Sequence, residues 1–283
     1  MEGSQFIVKG KIYLVATPIG NLEDITIRAL KVLKEVDLIA AEDTRHTLGL
    51  LNHFEISKPL ISYYKQNEKT KSEVLIQKVL EGQNIAVVSD AGTPGISDPG
   101  EEIVKVAIEN NIQIVPIPGA CAFVNALIAS GLNTREFCFV GFLSAEKKEK
   151  KEKLEELKYE TKTLIFYEAP HKLKATLETI YEIFGERKIV LAKELTKIHE
   201  EFIRGNISKI LDDVDSIKGE YIILIEGSKE SKLDIEKKAI NELSLEEHYK
   251  LYEEKGLEKK EIIKKIAKDR NVNKNEIYQY FIK

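Results

Sequence analysis

An apolar run, Ile85-Ala-Val-Val88, breaks into a loop holding three glycines, two prolines and two aspartates within residues 89–100, and a segment of helical spacing, 103–108, follows. Four consecutive apolar residues bounded by breakers read as a buried strand. The loop itself is too rich in breakers to be packing material. Glycine lets backbone approach a ligand closely, and proline stiffens the path. Open α/β sheets bind ligands just beyond the carboxyl ends of their strands. The segment is therefore read as a ligand loop, in a chain of the α/β class.

The rest of the chain follows the same rhythm. Residues 12–16, 38–41, 60–62 and 112–117 read as strands, and 27–36, 48–54 and 72–80 as the helices between them, the last capped at Gly82. Alternation with short connections predicts parallel strands in α/β layers. Pro116-Ile-Pro-Gly119 interrupts the pattern and suits a domain junction. Beyond it, 137–143, 163–167, 188–193, 200–205 and 221–225 read as strands, and 122–129, 145–158 and 173–184 as helices. The lysine-rich run at 147–151 reads as a solvated helix face. Helices are predicted again at 235–243, 245–252, 258–268 and 275–281. The last two, joined by the turn at 271–274, resemble a helix-turn-helix, and a small helical cap on the second half is an equal reading. The predicted organisation is an α/β lobe over 1–119, a second over 120–228, and a small C-terminal helical segment over 229–283.

Composition narrows the class. The chain has 283 residues, 43% hydrophobic and 32% charged, which supports a globular core. No apolar run reaches the roughly 18 residues of a membrane span, and residues 1–5 lack the pattern of a signal peptide. Cys121 and Cys138 sit in apolar surroundings without a CxxC spacing, which predicts buried free thiols in a reducing cytoplasm and no metal site. The net charge is −4, yet residues 229–283 carry 14 Lys and Arg against 12 Asp and Glu, while the rest carries 29 against 35. A basic tail on an acidic body hints at a polyanionic partner.

Phosphate-cradling motifs are missing. The first strand opens onto Thr17-Pro-Ile-Gly-Asn21, where a dinucleotide fold would show GxGxxG, and no GxxxxGK[ST] occurs. A GxSxG nucleophile elbow is also absent. Three polar clusters leave strands instead. Glu42-Asp-Thr-Arg-His46 reads as a site cluster or as the capped start of a helix, with Thr44 as the cap. Tyr167-Glu-Ala-Pro-His171 can bind or move protons, or simply start a helix at Pro170. Lys193-Glu-Leu-Thr-Lys-Ile-His-Glu-Glu201 can supply a base, a cation for phosphate and orienting hydrogen bonds, or form a solvated turn. His53 and His248 show no partner pattern and read as structural or exposed.

Together, Thr17-Pro-Ile-Gly-Asn-Leu-Glu-Asp24, Ala41-Glu-Asp-Thr-Arg45, the 89–100 loop, Pro118-Gly-Ala120, Phe166-Tyr-Glu-Ala-Pro-His171 and Lys193-Glu-Leu-Thr-Lys197 resemble the ribosomal RNA methyltransferase branch of the tetrapyrrole methylase superfamily, the class III methyltransferases. The likeness spans roughly residues 10 to 283, and ordered motifs are far more specific than any one alone. It implies two α/β lobes of the class III type, S-adenosylmethionine as methyl donor, and 2′-O-methylation of the ribose of cytidine 1402 in 16S rRNA of the small ribosomal subunit. It also implies a cytoplasmic homodimer. Related tetrapyrrole enzymes often show a GGDP-type loop. Ser-Asp-Ala-Gly-Thr-Pro-Gly here argues against a corrin or porphyrin substrate. Two alternatives stay open: a methylase of a tetrapyrrole or a modified protein side chain, and a non-catalytic RNA-binding assembly factor.

The resemblance places the donor between the lobes, lined by Pro18, Gly20, Asp90, Gly92, Thr93, Gly95, Ile96, Ala120, Cys121 and Tyr167, and closed from the second lobe by Leu195 and Glu226. A ribose hydroxyl is a poor nucleophile until its proton is taken. Glu42, Asp43 and Glu194 are the candidate bases, followed by Lys193 or His199. Arg45, His171, Lys197, His199, Lys264, Lys265, Lys268, Arg270 and Lys274 are expected to meet RNA.

Overall fold

The computed structural model describes residues 9–213 and 219–281; the reading of residues 1–5 lies outside them. Strands and helices alternate through the first lobe as β1 (Lys11–Val15), α1 (Ile27–Glu35), β2 (Leu38–Ala41), α2 (Thr44–His53), β3 (Leu60–Ser62), α3 (Glu68–Leu80), β4 (Ile85–Val88), α4 (Glu101–Glu109) and β5 (Gln113–Ile117). The five strands form a wholly parallel sheet in the order β3-β2-β4-β1-β5. Its central strands are apolar throughout because both faces are covered. Leu38, Ala40, Ile85 and Val87 enter one core with Leu75, Val79 and Ile103. Ile39, Ala41, Ala86 and Val88 enter the other with Ala29, Leu33 and Leu51. This alternation follows from the two-residue period of a strand. It fixes register, because a slip of one residue would exchange the two faces. Full burial of each such Leu, Ile or Val is worth about 1.5–3 kcal/mol.

Helix α3 starts one turn earlier than expected, because Glu68-Lys-Thr-Lys71 is polar and carries no periodicity to reveal it. Gly82 (φ +99°) then turns the chain toward β4.

The second lobe comprises α5 (Ala122–Ser130), β6 (Phe137–Phe142), α6 (Lys147–Leu157), β7 (Thr163–Glu168), α7 (Leu173–Phe184), β8 (Lys188–Lys193), β9 (Glu201–Asn206), α8 (Ile207–Asp213) and β10 (Tyr221–Ile225). Its order is β6-β7-β10-β8-β9. Here the expectation of parallel pairing fails. Only β6 and β7 run parallel; β10 is antiparallel to both neighbours, and β8 and β9 are antiparallel to each other. The cause is local. No helix separates β8 from β9, so the chain turns back on itself, and β10 then enters the centre of the sheet from the opposite side.

One face of this sheet (Leu164, Phe166, Ile189, Leu191, Ile223) packs on α6, α7 and α8. The other (Ile165, Val190, Ala192, Ile222, Leu224) packs on α5. The solvated reading of α6 also needs correcting at one position. Lys150 is buried and its Nζ donates to Thr176 Oγ1 at 2.8 Å.

Helices α9 (Lys232–Glu242), α10 (Leu245–Glu253), α11 (Lys259–Asp269) and α12 (Lys274–Tyr280) end the described chain. Capping boxes at Ser231/Asp234 and Ser244/Glu247 start the first two. Tyr252, Ile262, Ile263, Ile266, Ala267 and Ile277 form a core of their own.

In both sheets the functional edge is now defined. The carboxyl ends of β1, β2 and β4 face one side of the first lobe. In the second, the carboxyl ends of β7 and β8 share an edge with the amino end of β10, because Tyr221 pairs with Glu168 and Lys193.

Candidate active site

The loop after β4 is held at three points. Thr17 N donates to Gly92 O at 2.9 Å and Gly92 N to Thr17 O at 3.0 Å, so the first and fourth strand ends are bridged. Gly92 is required there: its φ is +86°, and a Cβ would lie 3.2 Å from Ile19 Cγ2. Thr93 Oγ1 donates to Ala120 O at 3.0 Å, tying the loop to the turn that enters the second lobe. At the far end Glu68 Oε1 accepts from Gly100 N (2.8 Å), Glu102 N (3.1 Å) and Tyr63 Oη (3.1 Å), which satisfies donors at the start of α4.

A cavity of about 360 Å³ opens between this loop and the edge of the second sheet. The first lobe lines it with Ile19, Gly92, Thr93, Ile96 and Asp98. Cys121, Ala122, Tyr167, Ala169, Ala192, Leu195 and Ile222 supply the opposite wall, and Phe142 stands at it with 62% of its surface exposed. Tyr167 Oη accepts from Phe123 N at 3.3 Å, and burial pushes its phenol up to about 12. Burial likewise raises the Cys121 thiol, which stays protonated near neutrality.

Of the residues expected to line a donor pocket, Gly92, Thr93, Ile96, Cys121, Tyr167 and Leu195 do line this cavity. Pro18, Gly20, Asp90, Gly95 and Ala120 do not line it but adjoin in sequence residues that do. Gly20 packs so tightly on the second lobe that a Cβ would lie 2.7 Å from Lys197 Cγ. Glu226 is misplaced by the expectation. It follows the carboxyl end of β10, where its N–H donates to Lys188 O, at the opposite end of the strand from Tyr221 and Ile222. The antiparallel direction of β10 brings Glu220, Tyr221 and Ile222 to the cavity in its place.

The candidate bases separate by their partners. Asp43 is the N-cap of α2 and holds Arg45 with both carboxylate oxygens, at 3.2 and 2.8 Å. That pairing holds its carboxyl well below the usual range and occupies the Arg45 guanidinium. Asp43, not Thr44, therefore caps. Lys193 Nζ bonds Glu201 at 3.3 Å. Glu194 Oε1 accepts from Glu220 N (2.7 Å) and from Lys197 Nζ (3.2 Å); the first bond chiefly lowers its proton affinity. None of these side chains lines the cavity, and each of Asp43, Lys193 and Glu194 is paired with a neighbour. Lys197 is equally engaged, bonding Glu220 at 2.9 Å as well.

Glu42 differs. Its Oε2 accepts from Asp90 N at 3.3 Å, and burial raises its carboxyl. Glu42, Asp90 and Asp98 place three carboxylates beside the cavity. Asp98, which sequence reasoning passed over, is pushed up to about 6, first by burial and then by Glu42 and Asp90. Its signal was present as the second aspartate of the 89–100 loop. Phe142, Ala192 and Ile222 carried no comparable signal. Glu168 also lines the cavity, but it is buried and accepts from Thr176 Oγ1 at 2.5 Å.

His171 and His199 are exposed near this edge. In the tail, Lys264, Lys265, Lys268 and Lys274 are exposed. Arg270 is not available to RNA as expected. It donates to His248 Nδ1 (3.2 Å), to Ser244 O (3.2 Å) and to Leu243 O, locking α11 against α10. His248 is wholly buried beside Asp269. Among the described residues, no group of three or more His, Cys, Asp or Glu side chains is placed to hold a metal ion. No described helix is long and apolar enough to cross a membrane.

Comparison with known proteins gives consistent likenesses. Residues 11–211 match the model of the tetrapyrrole (corrin/porphyrin) methylases. The chain is 51% identical over 277 residues to "Ribosomal RNA small subunit methyltransferase I" of Bacillus subtilis (strain 168), covering 97% of this chain and 95% of that one. It is 45% identical to the protein of the same name from Escherichia coli O157:H7, covering 96% and 94%. Among solved structures, a uroporphyrin-III-C-methyltransferase from Thermus thermophilus superposes with a TM-score of 0.56 at 21% identity, covering 77% of this chain and 94% of that one. A uroporphyrin-III C-methyltransferase of the same organism, complexed with S-adenosyl homocysteine, superposes at 0.54 and 15% identity, covering 77% and 97%.

Proposed function

The chain belongs to the ribosomal RNA small subunit methyltransferase I family of tetrapyrrole methylases, and from that premise we propose that it uses S-adenosylmethionine to methylate 16S rRNA, at the ribose 2′-oxygen of cytidine 1402. The observation that carries this reading is the near end-to-end match to relatives of that name, which runs well beyond the residues that the methylase model matches.

The cavity suits the donor. Its volume lies within the usual range for small-molecule sites, about 300–1,000 Å³. Gly92 and Thr93 offer backbone at close range, and Tyr167, Leu195 and Ile222 offer apolar wall. The carboxylates of Glu42, Asp90 and Asp98 set a negative potential beside it, which favours a positively charged ligand. When bound, S-adenosylmethionine supplies a methyl group already activated on a sulfonium sulfur. The protein's task is then alignment, worth up to about 7–11 kcal/mol in favourable cases. The bridge between Thr17 and Gly92 and the clamp at Glu68 hold the loop rigid for that purpose. Leu195 and Ile222 exclude water. The exposed ring of Phe142 offers a face on which an unstacked base can lie.

In the same reading, residues 1–119 and 120–228 are the two catalytic lobes and 229–283 docks RNA. Lys264, Lys265, Lys268 and Lys274 meet phosphate there, while His171 and His199 meet it at the rim. The enzyme acts as a homodimer in the cytoplasm; Val124 and Ile128, exposed one turn apart on α5, form an apolar strip that a second copy can cover. The test is transfer of labelled methyl from S-adenosylmethionine to unmodified 30S subunits and free 16S rRNA, with the modified nucleoside mapped. No incorporation into either substrate would overturn the reading, and incorporation at another atom would overturn the assigned position.

A further inference from the structure

We propose that α11 docks on the sugar-phosphate backbone of an RNA helix through a ridge of three lysines, Lys260, Lys264 and Lys268. The inference rests on the methyltransferase reading above and deepens it by naming the form of RNA that the tail takes.

The tail is not evenly basic. Helix α11 carries five lysines against two carboxylates, Glu261 and Asp269. Lysines and carboxylates balance in α9, three of each, and in α12, one of each, while α10 has one lysine against three glutamates. The positive excess of the four helices therefore sits on one of them. Asp269 is moreover already held: it accepts from Tyr252 Oη and lies 3.4 Å from His248 Nε2.

Packing then aims this charge. Ile262, Ile263, Ile266 and Ala267 are buried with Tyr252 and Ile277, which leaves Lys260, Lys264 and Lys268 exposed. The three stand four residues apart, so they follow one ridge of the helix surface, with about 6 Å of rise between neighbours. Successive phosphates on one RNA strand are comparably spaced. Lys238 of α9 pairs with Glu230, whereas among the described residues no ridge lysine has a carboxylate within ion-pair distance. Arg270 fastens the end of α11 to α10 through His248 and Ser244 O, so the ridge stands on a fixed support.

The form of RNA follows from groove shape. In a DNA-binding helix-turn-helix the second helix enters the major groove. In an RNA helix that groove is deep, narrow and closed to side chains, and recognition runs through phosphates and 2′-hydroxyls. The second helix here, α12, is seven residues long and has no excess charge. The first, with its row of cations, fits the backbone instead. A single strand offers no fixed row of phosphates, so the ridge favours a paired stem. The enzyme then holds RNA in two forms: an unstacked nucleotide at the cavity and a stem at α11.

The test uses the full chain and two RNA probes of equal length, a fully paired hairpin and an unpaired oligonucleotide, titrated across a salt series. Wild type is expected to bind the hairpin more tightly. Lys260→Gln, Lys264→Gln and Lys268→Gln together are expected to weaken hairpin binding about tenfold or more at low salt and to reduce its salt slope by about 2–3. Arginine at the same three positions is expected to keep both, because a phosphate contact needs the charge. A matched control on α9, Lys232→Gln, Lys237→Gln and Lys238→Gln, removes the same charge and is expected to bind the hairpin as wild type does. Hairpin affinity that survives the α11 glutamines, that is lost with the arginines, or that falls equally in the α9 control overturns the proposal, as does equal wild-type binding of the two probes. Methyl transfer to unmodified 30S subunits is measured in parallel. A wild type that transfers none overturns the methyltransferase reading and leaves the ridge to be judged by the hairpin.

Discussion

Gly20 and Thr196 meet where the lobes join: a Cβ on Gly20 would lie 2.9 Å from Thr196 Oγ1, which is itself buried without a hydrogen-bond partner. The turn after β1 thus packs its backbone against side chains and backbone of the turn after β8. Gly20→Ala is expected to force the turns apart, cost about 1–3 kcal/mol and weaken donor binding. Denaturant unfolding and calorimetry on one preparation check both effects.

Glu68 tests whether the loop must be held. Glu68→Ala leaves Gly100 N and Glu102 N without their acceptor, an expected loss of about 1–3 kcal/mol. Donor affinity should fall with it, although residue 68 does not line the cavity. Unchanged affinity would show that the loop keeps its shape unaided.

The carboxylate of Glu194 gives a pH prediction. Its folded proton affinity lies below the ordinary 4.5, chiefly through Glu220 N. The stability it contributes is therefore fully present above about 4.5 and fades as pH falls through the lowered folded value. Melting temperatures of wild type and Glu194→Gln should differ at pH 7 and converge toward pH 3.

The tail lysines and Arg270 should behave oppositely. Replacing Lys264 and Lys268 with glutamine is expected to weaken rRNA binding and reduce the salt slope by about 0.7–0.9 for each lost phosphate contact, without loss of stability. Arg270→Ala should loosen the helices themselves, because it frees the Leu243 and Ser244 carbonyls and His248. Salt-dependent binding and hydrogen exchange separate the two behaviours.

Phe142, exposed at the cavity wall, is expected to stack a base. Phe142→Ala should cost about 1–3 kcal/mol in rRNA affinity and leave donor affinity near wild type, as read by parallel titrations.

Much of the architecture was legible in residue order. The apolar runs at 38–41 and 85–88 named their strands because two-sided burial leaves no polar position. The 89–100 loop announced a ligand site because glycine and proline at that density have few other uses. Strand direction was not legible: nothing in Tyr221-Ile-Ile-Leu-Ile225 says which way it runs, so Glu226 was placed at the wrong end. Partnership was equally hidden. Asp43, Glu194 and Arg270 look like free functional groups in one dimension, and only folding shows them committed to Arg45, Lys197 and His248. Asp98 was overlooked for a similar reason, since facing the cavity is a property of three-dimensional neighbours.

The reversed central strand also decides where the chain goes next. Because β10 enters beside the cavity at Tyr221 and leaves at Ile225, the path toward α9 begins at the far end of that strand, about 14 Å on at about 3.4 Å per residue step. The cavity and the root of the tail are thus held apart by the length of one strand.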